Sequence, residues 1–130
     1  KHWVTLGSKA DVNKLPKIFS VNWFRKTKEG KWLWPGYGEN SRVLKWVFER
    51  CDNTGSAIKT PIGYMPTADA IETTGLSVST EDMKQLLSVE QEGWIKEIGM
   101  IKEHYAIFGD RLPKELSDQL AALEARMKNQ

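Results

Sequence analysis

Two kinds of hydrophobic pattern divide the chain. From Ser88 onward apolar residues recur at helical spacing. Trp94, Ile98, Ile101, Tyr105 and Phe108 fall on one stripe, and Leu116, Leu120, Leu123 and Met127 on a second. Gly109 lies between them as a terminator and Pro113 sits at a first-turn position, so the stripes predict an antiparallel helical pair. Ser79-x-x-Asp82 and Ser88-x-x-Gln91 both fit the reciprocal helix cap, in which each side chain satisfies the other residue's backbone N–H. Residues 79–130 are therefore expected to form a helical tail.

The first half follows a different rule. KIFSVNWF, residues 17–24, is β-branched and aromatic and lies between Pro16 and a charged turn, which predicts a strand. Period two puts Phe19, Val21 and Trp23 on one face and Ile18, Ser20, Asn22 and Phe24 on the other, so the strand should be buried on both sides or lie beside a pocket. A turn centred on Gly30 and a return strand over Trp32–Trp34 complete a β-hairpin, which Pro35–Gly38 must break. Asn40 or Ser41 then serves as the N-cap of a helix ending near Arg50, with Val43, Leu44, Val47 and Phe48 as its apolar face. Residues 1–16 hold a short element around His2–Leu6 and a polar connection. Residues 56–78 read as extended loop with a brief helix near Ala68–Ile71. The fold class is α+β and helix-rich: an aromatic β-hairpin plus helix, a loop-rich middle and a C-terminal helical pair.

Composition narrows the classes. At 130 residues the chain is one domain's worth, and 40% hydrophobic with 28% charged residues excludes wholesale disorder. No run approaches the roughly 20 apolar residues of a membrane span. A single cysteine, Cys51, rules out a disulfide framework and a multi-cysteine zinc site, and a cytoplasmic location is expected. The chain opens on Lys1 rather than Met, which suggests a piece of something longer. Net charge is only +2, yet residues 1–60 hold 12 Lys and Arg against 5 Asp and Glu, so an anionic partner would favour the first half. Eight of the 13 aromatic residues lie between positions 19 and 48.

Catalytic motifs are missing. His2 and His104 have no carboxylates at ligand spacing, and Cys51 at a helix end is expected to be semi-buried and structural. There is no GxGxxG, no GxxxxGK[ST] and no defensible Ser-His-Asp set. The positive signal is Phe24, Trp32 and Tyr37 leading into Gly38–Glu39–Asn40 at a helix start. Aromatic side chains can sandwich a flat heteroaromatic ring, each stack contributing roughly 1–3 kcal/mol. An Asn beside the stack offers both a donor and an acceptor to a base edge, and N–H groups at a helix start add donors. This fits a purine pocket; the alternative is an aromatic hairpin packed on its own helix.

Residues 14–50, KLPKIFSVNWFRKTKEGKWLWPGYGENSRVLKWVFER, contain the long run WPGYGENSRVL, and TPIGYMP follows at 60–66. Both resemble GTP-dependent phosphoenolpyruvate carboxykinase, and with the helical tail the resemblance covers essentially all 130 residues, the last fifth or so of a family member. It implies a segment of the family's nucleotide-binding C-terminal domain, with the guanine-binding hairpin and helix at 14–50. The family converts oxaloacetate and GTP to phosphoenolpyruvate, GDP and CO2, a gluconeogenic reaction, using Mn²⁺ at the active site and a second divalent ion, Mg²⁺, with the nucleotide.

Carried over by position, Phe24 and Tyr37 would sandwich the guanine and Trp32 would border its edge. The backbone of Tyr37–Gly38 and the side chain of Asn40 would address its polar edge, with Glu39 in the same run. The family more often has Phe where Trp32 and Tyr37 stand; both replacements keep a π-face. The phosphate loop, its lysine and the metal ligands would lie upstream of Lys1, so this segment alone is expected to be inactive, with no catalytic or metal-ligating residue of its own. Its expected partners are a guanine nucleotide and the remainder of the polypeptide, with no nucleic acid and no membrane. Self-association of the isolated segment stays open. The alternative from another class is a stand-alone module for single-stranded nucleic acid.

Overall fold

A computed structural model describes residues 2–129. The chain divides into two compact units, residues 17–88 and residues 1–16 with 89–130. The element order is α1 (His2–Lys9), α2 (Asn40–Cys51), β1 (Ala57–Thr60), β2 (Gly63–Pro66), α3 (Thr80–Leu87), α4 (Gln91–Ala106) and α5 (Lys114–Lys128), with 3-10 turns at Val12–Lys14, Tyr37–Glu39 and Gly109–Arg111. This is the helix-rich α+β architecture the pattern predicts. No helix among the described residues is long and apolar enough to cross a membrane.

The unit comprising 1–16 and 89–130 follows its periodicity along the middle of the helical pair, while Phe108 and Leu116, where the two stripes meet, are exposed. Ile98 and Met127, 2% and 0% exposed, are the best-buried members of the two predicted stripes, and Leu120 is buried with them. α4 and α5 pack together. Gln91 Nε2, at the start of α4, donates to the Met127 carbonyl at the end of α5, which is an antiparallel arrangement. Lys102 pairs with Glu124 across the two helices. The Ser88 cap does not form: α4 starts at Gln91 with Glu90 at the cap position, and Ser88 instead ends α3. Gln91 is drawn to the end of α5, so it cannot close a box with Ser88.

The unit 17–88 is built around Trp34, Trp46, Ile71 and Met83, with Phe19, Trp23, Val43, Val47, Leu76 and Leu86 packed against them. Trp46 Nε1 donates to the Ser56 carbonyl at 2.9 Å, satisfying the one polar atom of a buried ring. α3 has the predicted reciprocal cap between Ser79 and Asp82.

Several expectations are corrected here. Residues 17–24 do not form a strand: 17–22 carry no regular secondary structure, and Trp23 and Phe24 lie in a turn. Phe19 and Trp23 face the core, whereas Ile18 is exposed and Val21 largely so, so the run is not buried on both sides. Side-chain anchors replace a ladder. Lys17 Nζ donates to the carbonyls of Arg50 and Cys51 and to Asn53 Oδ1, placing a cation at the C-terminal end of α2.

The hairpin exists but is shorter and shifted. Lys26 and Trp32 form its single bridge, Thr27 N–H donates to Lys31 O at 2.8 Å, and Leu33 N–H to Arg25 O at 3.1 Å. Neither Asn40 nor Ser41 caps α2: Glu39 holds that position and makes no side-chain cap. The inward face of α2 is Val43, Trp46 and Val47, while Leu44 and Phe48 are exposed. The middle holds a true antiparallel hairpin, β1 with β2, pairing Ala57 with Pro66 and Thr60 with Gly63. The brief helix near Ala68–Ile71 is a set of turns, and Cys51 is exposed rather than semi-buried.

Candidate functional site

The candidate residues lie on a tight hairpin, a 3-10 turn and the first residue of α2, all within the unit 17–88. The incoming side of the hairpin is fixed by hydrogen bonds. Asn22 Oδ1 accepts from the Phe24 backbone N–H at 2.9 Å, an Asx turn that sets the direction of Phe24. The next residue, Arg25, donates to the carbonyls of Leu86 and Ser88 and to Ser88 Oγ, with distances of 2.7–3.1 Å, tying the hairpin to the end of α3. The returning side is fixed by burial of Leu33 and Trp34.

On this anchored base the aromatic rings stand outward. Phe24 is 73% exposed, Trp32 50% and Tyr37 92%. Phe24 meets Trp32 edge to face at a centroid distance of 6.0 Å. Lys26 Nζ lies 3.9 Å from the Trp32 ring centroid, a cation–π contact on a solvent-facing ring. Tyr37 makes no ring-to-ring contact among the described residues; it projects from the 3-10 turn. Trp3, Phe48 and Tyr64 are comparably exposed, so what sets this run apart is the pairing of two exposed rings, Phe24 and Trp32, on one hairpin.

The 3-10 turn depends on Gly36. Its φ of +116° and ψ of −167° belong to a region open essentially to glycine, and Glu39 N–H then donates to Gly36 O at 3.1 Å. Gly38 lies inside the turn with open space where a Cβ would stand, so its backbone is approachable. Asn40 N–H donates to Tyr37 O, passing the 3-10 turn directly into α2.

The side chains of this run divide. Glu39 is engaged by Arg42, Nε to Oε2 at 2.7 Å, and Arg42 reaches on to the Glu72 carbonyl at 3.1 Å. Asn40 turns toward Trp34, whose indole Nε1–H donates to Asn40 Oδ1 at 3.0 Å. Thus Phe24 and Trp32 are brought together, Asn40 is brought to Trp34, and Glu39 is committed to an ion pair. Trp34 was not among the residues singled out from sequence. The available signal was general: a buried indole needs an acceptor, and Asn40 stands six residues on.

A polar depression of about 350 Å³ lies elsewhere in this unit, lined by residues that include Arg42, Lys45, Glu49 and Asp69, and none of the candidate residues borders it. Among the described residues no three His, Cys, Asp or Glu side chains are gathered that could hold a metal ion. His104 is exposed and touches Phe108 and Tyr105.

The unit 17–88 is an α+β unit in which a glycine-broken aromatic run enters a helix, and comparison with known proteins gives the chain a family. The phosphoenolpyruvate carboxykinase C-terminal P-loop domain matches residues 1–126, and the chain belongs to this family. It is 58% identical over 127 residues to phosphoenolpyruvate carboxykinase [GTP] of Treponema pallidum (strain Nichols), covering 97% of the chain and 21% of that protein. It is 48% identical over 128 residues to the protein of that name from Neocallimastix frontalis, covering 98% and 21%, and 46% over 127 residues to that of Arthrobacter sp. (strain FB24), with the same coverage. The chain thus spans about a fifth of the length of these relatives.

Proposed function

We propose that this segment forms the guanine-recognising wall of a GTP-dependent phosphoenolpyruvate carboxykinase, which converts oxaloacetate and GTP to phosphoenolpyruvate, GDP and CO2 in the cytoplasm, in the direction of gluconeogenesis. The observation that carries this is the set of exposed rings, Phe24 and Trp32 paired on an anchored hairpin and Tyr37 on the turn that leads into Asn40. Phe24 and Tyr37 supply the stacking faces and Trp32 the edge. The backbone of Tyr37 and Gly38 and the amide of Asn40 address the polar rim of the base. Glu39 contributes by holding Arg42 at the start of α2 rather than by touching the ligand.

Stacking attracts any purine, so selection among purines falls to the polar groups. Phosphoryl transfer also requires charge-neutralising groups around the phosphates. On this reading the segment alone is inactive, and the remainder of its polypeptide supplies those groups. No step through Mn²⁺ or Mg²⁺ is assigned to it.

The test is Asn40→Ala in the full-length protein, titrated with GTP, ITP and ATP. The expected outcome is loss of most of the preference for GTP over ATP, with purine nucleotides still bound through the rings. Unchanged discrimination would remove Asn40 from base recognition. A single-stranded nucleic-acid module would instead bind oligonucleotides with affinity falling steeply as salt rises.

A further inference from the structure

We infer that Trp34 is a positioning residue for base selection: its indole N–H fixes the Asn40 amide so that the NH2 group faces the ligand, and this selects a 6-oxo purine over a 6-amino purine. The inference rests on the purine reading of the pocket and extends it to a residue that touches no ligand.

An asparagine amide is ambiguous in isolation, because a half-turn exchanges donor and acceptor. Here the partner removes the ambiguity. Tryptophan Nε1 can only donate, so the atom 3.0 Å away is the amide oxygen. Trp34 is itself only 6% exposed and packed in the core with Trp46, Ile71 and Met83, so the indole has no room to turn away. Asn40 is partly buried at the first residue of α2, and its backbone N–H is already used on Tyr37 O. The side chain does not cap the helix, although asparagine at a helix start is well suited to that. Among the described residues the Nδ2 hydrogens meet no acceptor. With Oδ1 held by the indole, the NH2 group is the part of the amide left open to an incoming acceptor.

A purine presents an oxygen at position 6 in guanine and hypoxanthine, and an amino group in adenine. With NH2 held outward, the oxo base completes a hydrogen bond, whereas the amino base sets donor against donor and leaves both unsatisfied. An amide free to flip would serve either base. The indole therefore turns a two-way side chain into a one-way reader.

The decisive variant is Trp34→Phe in the full-length protein, with binding of GTP, ITP and ATP measured at equilibrium and folding checked by thermal melting. Phenylalanine keeps an aromatic ring but lacks the donor. The preference for GTP over ATP is expected to fall about tenfold, the scale of one hydrogen bond, with ITP following GTP. The same substitution placed on Asn40→Ala should add no further loss of preference. Equal weakening of all three nucleotides, or an unchanged ratio, would mark Trp34 as merely structural and overturn the inference.

If Trp34→Phe does not fold, Asn40→Asp decides. The indole then holds one carboxylate oxygen and the other faces the base as an acceptor, so preference should swing toward ATP; no swing overturns the inference. Failure of the pocket itself looks different. If Phe24→Ala and Tyr37→Ala leave every nucleotide's affinity unchanged, both the pocket and this inference fall. If they weaken binding while Trp34→Phe leaves the ratio intact, only the inference falls.

Discussion

The buried stripe of the helical pair α4–α5 and the aromatic hairpin use hydrophobic residues in different ways, although the pair also leaves Met100 and Ile107 exposed. In the pair, the best-packed stripe positions vanish from solvent: Ile98 is 2% and Met127 0% exposed. In the hairpin, burial alternates with display. Leu33 and Trp34 are sunk into the core, while Phe24, Trp32 and Tyr37 on either side remain largely in water. The first arrangement is what folding alone favours, since removing apolar surface from water is the main driving term. The second leaves rings in water beside buried neighbours, Leu33 and Trp34, and the proposed function gives those rings a use. Mutations should therefore separate the two regions, stability responding in one and nucleotide affinity in the other.

The largest effect is expected from Met127→Ala. Removing a fully buried side chain should lower unfolding free energy by about 2–5 kcal/mol through lost transfer energy and the cavity left behind. Thermal and denaturant unfolding of the full-length protein would measure it. GTP affinity of the folded fraction should stay unchanged. A marked loss of affinity without loss of stability would erase the distinction between the regions.

That contrast also explains what could be read in advance. α4 and α5 were legible because one repeating contact writes one repeating pattern, and Ile98, Leu120 and Met127 lie on the expected stripes. Residues 17–24 were not, because strand composition cannot supply a partner strand, and here Lys17 and the Asn22 turn anchor the chain instead. The β1–β2 hairpin was hidden behind Pro61, Gly63 and Pro66, residues that ordinarily mark loops; Pro66 stands at the end of its strand, where its missing N–H is tolerated. In the candidate site, Phe24, Trp32, Tyr37 and Asn40 could be named from residue chemistry and family resemblance. The Trp34–Asn40 bond could not, since it depends on the 3-10 turn over Tyr37–Glu39 that brings residue 40 back to residue 34.

Phe24→Ala and Tyr37→Ala come next in size and reverse the Met127 pattern. Each should cost roughly 1–3 kcal/mol of nucleotide binding, shared alike by GTP and ATP because stacking does not read the base edge. Each should change unfolding free energy by no more than about 0.5 kcal/mol, as expected for exposed side chains, Phe24 losing only its edge contact with Trp32. Calorimetric titration beside a thermal melt would read both quantities. A large drop in melting temperature would show that the rings hold up the hairpin rather than await a ligand.

The smallest effect is electrostatic and falls in the helical pair. Hydrogen bonds from Lys102 and Lys128 lower the Glu124 carboxyl from its ordinary 4.5 to about 2. A carboxyl whose folded value is depressed binds its proton more readily in the unfolded chain. Its contribution is therefore complete above about pH 4.5 and is lost as pH falls toward 2. Glu124→Gln should leave stability near neutral pH only slightly changed, because ion pairs at a solvated surface are weak and screened. It should also flatten the decline between pH 4.5 and 2, so that wild type and variant converge at the acid end. Denaturant midpoints across that range, measured without nucleotide so that no ligand adds to the stability being read, would show the convergence. Parallel curves with a constant offset would mean that the two lysines act through packing of their stems and not through the charge of Glu124.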